Sequence, residues 1–289
     1  MKIAISGSTG FIGKQLSDYF LRSGNELIAI SRHDFSDGSN QLAKLINSAD
    51  VIVNLAGAPV LARWSEKNKK LIRSSRVDTT RLLVEAVRIN LPEHRPKVFI
   101  NASAIGIYDN SGTHDEFSTA LGSDFLAMVC KDWESETEAL KEMDLRLCTI
   151  RLGIVLGTTG GSLQKMLPIF KAGFGGKIGS GSQPVSFIHI SDLCRAIGHL
   201  ITSSESSGIY NMVGPEPITN QIFTIALANQ LHRPAIFTVP EFALKLIYGE
   251  ASEIMTKGAI VKPARLLKEG FRFEFRDITS ALENLASNH

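Results

Sequence analysis

The sequence predicts an α/β protein, a doubly wound parallel sheet carrying a smaller lobe built from the second half of the chain. Two observations predict it. The first half alternates short apolar runs with longer stretches whose apolar residues recur every three or four positions. A glycine-rich turn, Gly7-Ser8-Thr9-Gly10-Phe11-Ile12-Gly13, stands directly between the first apolar run and the first helical pattern. Strands are expected at residues 2–6, 26–31, 51–54, 97–102 and 145–151, with helices at 11–22, 41–46, 65–89 and 123–142 between them. In the third helix Leu71, Ile72, Leu82, Leu83, Ala86 and Val87 keep the spacing of one helical face.

The second half is less regular. A helix near 163–172, a glycine-rich stretch at 173–181 and a strand at 185–190 precede a helix at 191–202 and a strand at 208–212. After the turn signal Gly214-Pro215-Glu216-Pro217 come helices at 220–231 and 241–248, a strand-like Phe271-Arg272-Phe273-Glu274-Phe275 and a last helix reaching 285.

Composition narrows the function. The chain has 289 residues with 31 Lys+Arg against 29 Asp+Glu, a formal charge of +2. Such a balance lacks the concentrated positive field that a nucleic-acid backbone requires, so nucleic acid is not an expected partner. No stretch reaches the ~20 consecutive apolar residues of a membrane span. Only Ile3, Ala4 and Ile5 follow Lys2 before the chain turns polar, too short a block for a secretory leader. Cys130, Cys148 and Cys194 are too few and too scattered for a disulfide framework or a Cys-x-x-Cys metal site. The expectation is a reduced, cytoplasmic protein, with no metal and no membrane contact, that acts on a small molecule.

The glycine turn carries the chemistry. Gly7, Gly10 and Gly13 let the backbone bend tightly and approach a pyrophosphate, whose charge is favoured by the free N–H groups at the start of the helix. A glycine turn without a ligand is the alternative, and the strand before it and helix after it argue against that. The second strand ends at Ile30-Ser31-Arg32, where a dinucleotide fold meets the adenosine ribose. NAD-preferring sites place an acid here; a hydroxyl and a planar cation suit a 2′-phosphate, so NADP(H) is expected over NAD(H). Asp34, two residues beyond Arg32, confuses the register. The expected division assigns 1–160 and 185–214 to the NADP-binding domain and 161–184 and 215–289 to the smaller substrate lobe.

These residues resemble the extended short-chain dehydrogenase/reductases, which use the GxxGxxG form of the loop and an NAG-type motif like Asn54-Leu55-Ala56-Gly57. A narrower likeness follows to an atypical branch, the epimerase family proteins of the NAD(P)-dependent epimerase/dehydratase group with their C-terminal domain of unknown function. Its residues are Arg63-Trp64, Ser75-Arg76-Val77-Asp78-Thr79-Thr80, Ser103-Ala104-Ile105-Gly106-Ile107-Tyr108, Trp133-Glu134 and Arg151-Leu152-Gly153-Ile154-Val155-Leu156. Gly179-Ser180-Gly181-Ser182-Gln183, Phe187-Ile188-His189-Ile190, Phe242-Ala243-Leu244-Lys245 and Pro263-Ala264-Arg265-Leu266-Leu267 continue it, so the likeness covers nearly the whole chain. It implies a Rossmann-like lobe with a sheet of about seven strands, and a smaller C-terminal substrate lobe formed by the later segments over the nicotinamide end. It also implies that Ser31, Arg32, Leu55, Ala56, Gly57 and Arg76 line the cofactor, together with Gly7, Thr9, Gly10, Phe11, Ile12 and Gly13. Asn54 is expected to close a strand end by hydrogen bonding. The long helices 65–89 and 123–142 match those that pair subunits in related enzymes, which makes a homodimer an expectation.

The usual acid–base pair is missing. Ordinary members transfer hydride with Tyr-x-x-x-Lys, whose lysine lowers the tyrosine pKa. Four residues after Tyr19, Tyr108, Tyr210 and Tyr248 stand Ser23, Gly112, Gly214 and Ser252. The best alignment puts Cys130 at the Tyr position and Glu134 at the Lys position, one helical turn apart on a shared face. A carboxylate beside a thiol raises the thiol pKa, so Cys130 is expected to be a packed cysteine. Counting back from Tyr108, the catalytic hydroxyl falls at Ala104, and a one-residue shift restores Ser103. The candidate catalytic residues are therefore Ser103, Tyr108 and Glu134. His189 lies in an apolar strand beside Asp192 and is expected to be structural, while residues 173–181 with Gln183 are expected to form a mobile rim. Two functions remain open: an epimerase-like NADP(H) oxidoreductase of unidentified substrate, or a non-catalytic NADP(H)-binding regulatory or sensor protein.

Overall fold

The computed structural model describes residues 1–287. Six strands, β1 (Lys2–Ser6), β2 (Glu26–Ile30), β3 (Val51–Asn54), β4 (Val98–Ala104), β5 (Arg146–Leu152) and β6 (Gly208–Met212), form one sheet in the order β6-β5-β4-β3-β1-β2. Every pairing in it is parallel. The helices flanking it are α1 (Phe11–Arg22), α2 (Arg32–Ser36), α3 (Ser39–Ile46), α4 (Glu66–Ile89), α5 (Phe125–Ser135) and α7 (Ile190–Thr202), while α6 (Gly161–Lys171) packs in the outer lobe.

Alternation along the strands splits the interior. Ile3 and Ile5 join one apolar cluster with Leu16 and Phe20 of α1 and Leu193 and Ile197 of α7. Ala4 and Ile52 point the other way, to Leu42 and Ile46 of α3 and Leu83 and Val87 of α4. A sheet covered on both faces needs apolar residues at nearly every position, which is why its strands read as continuous apolar runs. Leu156, Leu163, Phe170, Phe187, Phe223, Leu227 and Leu282 make a further cluster in the outer lobe. There α8 (Asn220–Gln230) and α9 (Ile278–Ser287) lie together. Among the described residues, no helix is long and apolar enough to cross a membrane.

The sheet has six strands where seven were expected, because the chain leaves it after β5. The Gly153 N–H donates to the Met212 carbonyl at 3.1 Å, and a Cβ at Gly153 would lie 2.5 Å from the Ser186 carbonyl oxygen. Ile154–Leu156 turns away there and pairs in parallel with Phe187–His189 as a separate ladder. The expected helix 123–142 ends at Ser135; the Thr137 hydroxyl caps the Glu134 carbonyl at 2.8 Å, and Glu138–Glu142 continues as a tighter turn. The stretch expected as a rim is pinned instead: Gly176–Ile178 pairs with Phe237–Val239, and the Gln183 amide donates to the Ile178 and Met255 carbonyls at 3.2 and 3.1 Å.

Residues 271–275 form no strand, because a carboxylate takes their backbone bonds. The fully buried Asp192, in the first turn of α7, accepts the N–H groups of Glu274 and Phe275 at 2.9 Å each and pairs with Arg195 at 2.7 Å. Phe271 and Phe273 then insert into the sheet's own core. Replacing this carboxylate leaves two partly buried N–H groups without their acceptor and Arg195 without its partner. Asp192→Ala is therefore expected to lower unfolding free energy by about 3 kcal/mol, read as a fall in the urea midpoint at unchanged slope.

Candidate functional site

A cavity of about 570 Å³ opens at the carboxyl ends of the central strands, between the glycine turn and the outer lobe. Its floor is tied by a buried polar network. The Ser6 hydroxyl donates to Asn54 Oδ1 at 2.6 Å, and Asn54 Nδ2 donates to Thr80 Oγ1 at 2.7 Å and Asn101 Oδ1 at 2.8 Å. The N–H groups of Leu55 and Ala56 donate back to Ser6 Oγ at 3.1 and 3.2 Å. Asn54 thus closes the end of β3, as expected from the sequence.

The glycine turn fits an anion. Gly7 adopts φ +72°, and a Cβ there would lie 2.9 Å from the Leu55 carbonyl oxygen, so the turn lies flat on the β3 exit only as glycine. Helix α1 begins at Gly10 with neither a side-chain cap nor an acid in its first turn, leaving its opening N–H groups available. Thr9 stands exposed at the tip of the turn and Gly13 packs against the Gly7–Ser8 backbone. Gly10, Phe11 and Ile12 line the cavity.

Opposite the turn, Leu55 and Gly57 line the cavity with Arg76 of α4. The Arg76 guanidinium donates to the Ile72 and Ala58 carbonyls at 3.0 Å each and lies 5.3 Å from the centre of the Trp133 ring. A Cβ on Gly57 would sit 2.9 Å from its Cζ. Among the described residues no carboxylate pairs with Arg76, and burial pulls its pKa down. A half-buried cation without an acid favours a bound anion.

At the end of β2, Asp34 Oδ2 accepts from the Ser31 N–H at 2.7 Å and from the Ser31 hydroxyl at 2.6 Å, closing the first turn of α2. These bonds hold the Asp34 carboxyl below its ordinary value. The acid is thereby turned back onto its own helix, and Arg32 is exposed beside it with no carboxylate partner among the described residues.

The three candidate catalytic residues converge on one buried ion pair. Ser103, near the end of β4, donates to Glu134 Oε1 at 2.6 Å. Arg151 of β5 clamps the same carboxylate through Nε at 2.9 Å and Nη2 at 2.8 Å. Its Nη1 donates to the Tyr108 hydroxyl at 2.9 Å. Tyr108 Oη also lies 2.9 Å from both the Asp115 carbonyl and Asn211 Oδ1, which are acceptors for its one proton. Burial raises its pKa against the pull of Arg151. The Tyr108 ring stacks on His114 at 4.9 Å, so the phenol braces Arg151 from inside the protein.

Cys130 is buried, and desolvation with the Glu134 charge pushes its thiol up to about 11, which removes the thiolate a nucleophile needs. His189 Nδ1 accepts the Ser191 N–H at 3.1 Å at the start of α7, and burial lowers its pKa to about 4. Sequence reasoning missed two participants. Arg151 is one: a lone arginine in the apolar run 147–152 needs a carboxylate, and Glu134 was the acid without a partner. The other is a slot at Gly157, Gly160 and Gly161 that receives the Phe11 ring, since a Cβ at either of the first two would lie 2.5 Å from Phe11 atoms.

Residues 3–213 match the model described as the NAD dependent epimerase/dehydratase family. The chain belongs to that family. Residues 239–285 match a domain of unknown function, DUF1731. The epimerase family protein YfhF of Bacillus subtilis is 34% identical, the match covering 100% of this chain and 99% of that protein. The chloroplastic epimerase family protein SDR39U1 homolog of Arabidopsis thaliana is also 34% identical, over 98% of this chain and 86% of its own. A crystal structure of the human epimerase family protein SDR39U1 with NADPH superimposes with a TM-score of 0.93 at 30% identity over 100% of both chains.

Cutting the ion pair tests its weight. Glu134→Gln leaves Arg151 buried without a counter-charge and is expected to cost about 3–5 kcal/mol. Adding Arg151→Met to it should return most of that loss in chemical denaturation, since the stranded charge is then gone.

Proposed function

We propose that this family member binds NADP(H) along the glycine turn and interconverts a carbonyl compound and its alcohol. The observation that carries the reading is Ser103: it lines the cavity, and its hydroxyl is hydrogen-bonded to a carboxylate that Arg151 fixes in place.

The residues present suit the cofactor. The start of α1 and Arg76 would hold phosphate oxygens, Gly7 and Gly57 keep the backbone low enough for close approach, and Ser31 with Arg32 would meet the 2′-phosphate. NADPH, when bound, supplies a hydride equivalent at the cavity end of the sheet. The human relative solved with NADPH supports this assignment.

Ser103 Oγ would hydrogen-bond the substrate oxygen and pass a proton to or from it. Its own hydrogen points to Glu134 Oε1, so a proton taken from an alcohol at Ser103 moves on to the carboxylate. In the opposite direction the proton returns from Glu134 through Ser103. Arg151 holds the Glu134 carboxylate in orientation and thereby acts as a positioning residue, and Tyr108 holds Arg151 from behind. This Ser–Glu–Arg set takes the place of the Tyr-x-x-x-Lys pair, which the sequence does not contain. The three cysteines are free and buried, consistent with a reducing, cytoplasmic setting.

Calorimetry should show NADPH binding more tightly than NADH, and Arg32→Ala should cost NADPH about 1.5–3 kcal/mol with little change for NADH. Equal affinities in the unaltered protein would overturn the cofactor preference. Ser103→Ala is expected to slow NADPH oxidation by about a hundredfold at unchanged NADPH affinity, whereas an unchanged rate would favour the non-catalytic reading.

A further inference from the structure

The cavity has a second compartment that the cofactor contacts do not use. Its walls come from Val60 and Trp64 before α4, Leu126 on α5, and Ile254 and Val261 from the outer lobe. Trp64 is held rigidly: its Nε1 donates to the Val60 carbonyl at 3.0 Å, and its ring meets Phe125 edge-on at 5.0 Å and 63°. The indole therefore offers a fixed apolar surface to the compartment.

The charges around this compartment are mostly negative and already engaged. The start of α5 faces it, but Asp124 caps that start by accepting the Ala127 N–H at 3.0 Å, so a carboxylate occupies the place a phosphate would take. Asp109, also on the wall, accepts Ser111 N–H and hydroxyl at 3.0 and 2.8 Å and approaches His114 Nε2 at 3.2 Å. Among the described lining residues the cations are Arg76 and Lys257, and Glu253 pairs with Lys257 at 3.0 Å. One paired lysine against three carboxylates repels a pyrophosphate. The anion-binding features of the cavity, Arg76 and the open start of α1, are the ones assigned to the cofactor phosphates.

We infer that this compartment takes a neutral, largely apolar carbonyl compound or its alcohol, with a flat face against Trp64, and turns away nucleoside-diphosphate sugars. The inference rests on the reading that NADP(H) fills the other half of the cavity. It separates this chain from sugar-nucleotide chemistry on electrostatic grounds: with Arg76 engaged by the cofactor, a diphosphate would lie near Asp109, Asp124 and Glu253, and the other lining cation, Lys257, is already paired.

The test uses the full chain saturated with NADP⁺, whose binding is measured first by calorimetry. Menadione, a neutral planar quinone, is then titrated into the loaded protein, and UDP-glucose in a parallel titration. Saturable binding of menadione with quenching of tryptophan emission, and no binding of UDP-glucose at millimolar concentration, is the expected result. Trp64→Ala should weaken menadione binding by about tenfold while NADP⁺ affinity stays within about twofold; Trp64→Phe should retain most of it. Saturable binding of UDP-glucose overturns the inference, as does failure of menadione to bind the loaded protein. Failure of NADP⁺ itself to bind would instead overturn the cofactor reading.

Discussion

The buried pair between Glu134 and Arg151 is the constraint around which the site is arranged. It joins α5 to β5, takes the Ser103 hydroxyl from β4 on one side and props against the Tyr108 phenol on the other. Two charges removed from water repay their desolvation only when their hydrogen-bonding capacity is filled. Here the carboxylate accepts three bonds, and two guanidinium nitrogens serve it while a third serves the phenol. The geometry is thereby fixed to one arrangement, which is what a proton-handling group requires of its surroundings.

The same strand ends carry a neutral counterpart. Ser6, Asn54, Thr80 and Asn101 satisfy one another beneath the cavity. They hold the exits of β1, β3 and β4 at a common level, so that the glycine turn and the Leu55–Gly57 segment face each other across a gap. Backbone exits do the positioning, and few side chains need to reach far.

The sheet was legible because its strands are buried on both sides and its loop follows a fixed local grammar of strand, glycines and helix. Strands 2–6, 51–54 and 208–212 coincide with those observed, and the cofactor side of the cavity follows from residues next to one another in the chain. What was hidden depends on distant partners. No local pattern in Phe271–Phe275 reveals that Asp192 takes its backbone bonds. Nor does any local pattern reveal that Arg151 reaches Glu134 across 17 positions and turns a surplus acid into the partner of Ser103. The missing seventh strand has the same origin, since Gly153 looks like an ordinary strand end until Ser186 and Val213 close on it.

Asp192 also bears on how the molecule holds together. Its carboxylate grips the peptide groups just ahead of α9, and Phe271 and Phe273 enter the interior of the first lobe. The two stretches matched by separate family models therefore share one interior. Cleaving the chain in the linker after β6 would expose apolar surface on both fragments, so neither is expected to persist alone, and melting should proceed as a single cooperative event.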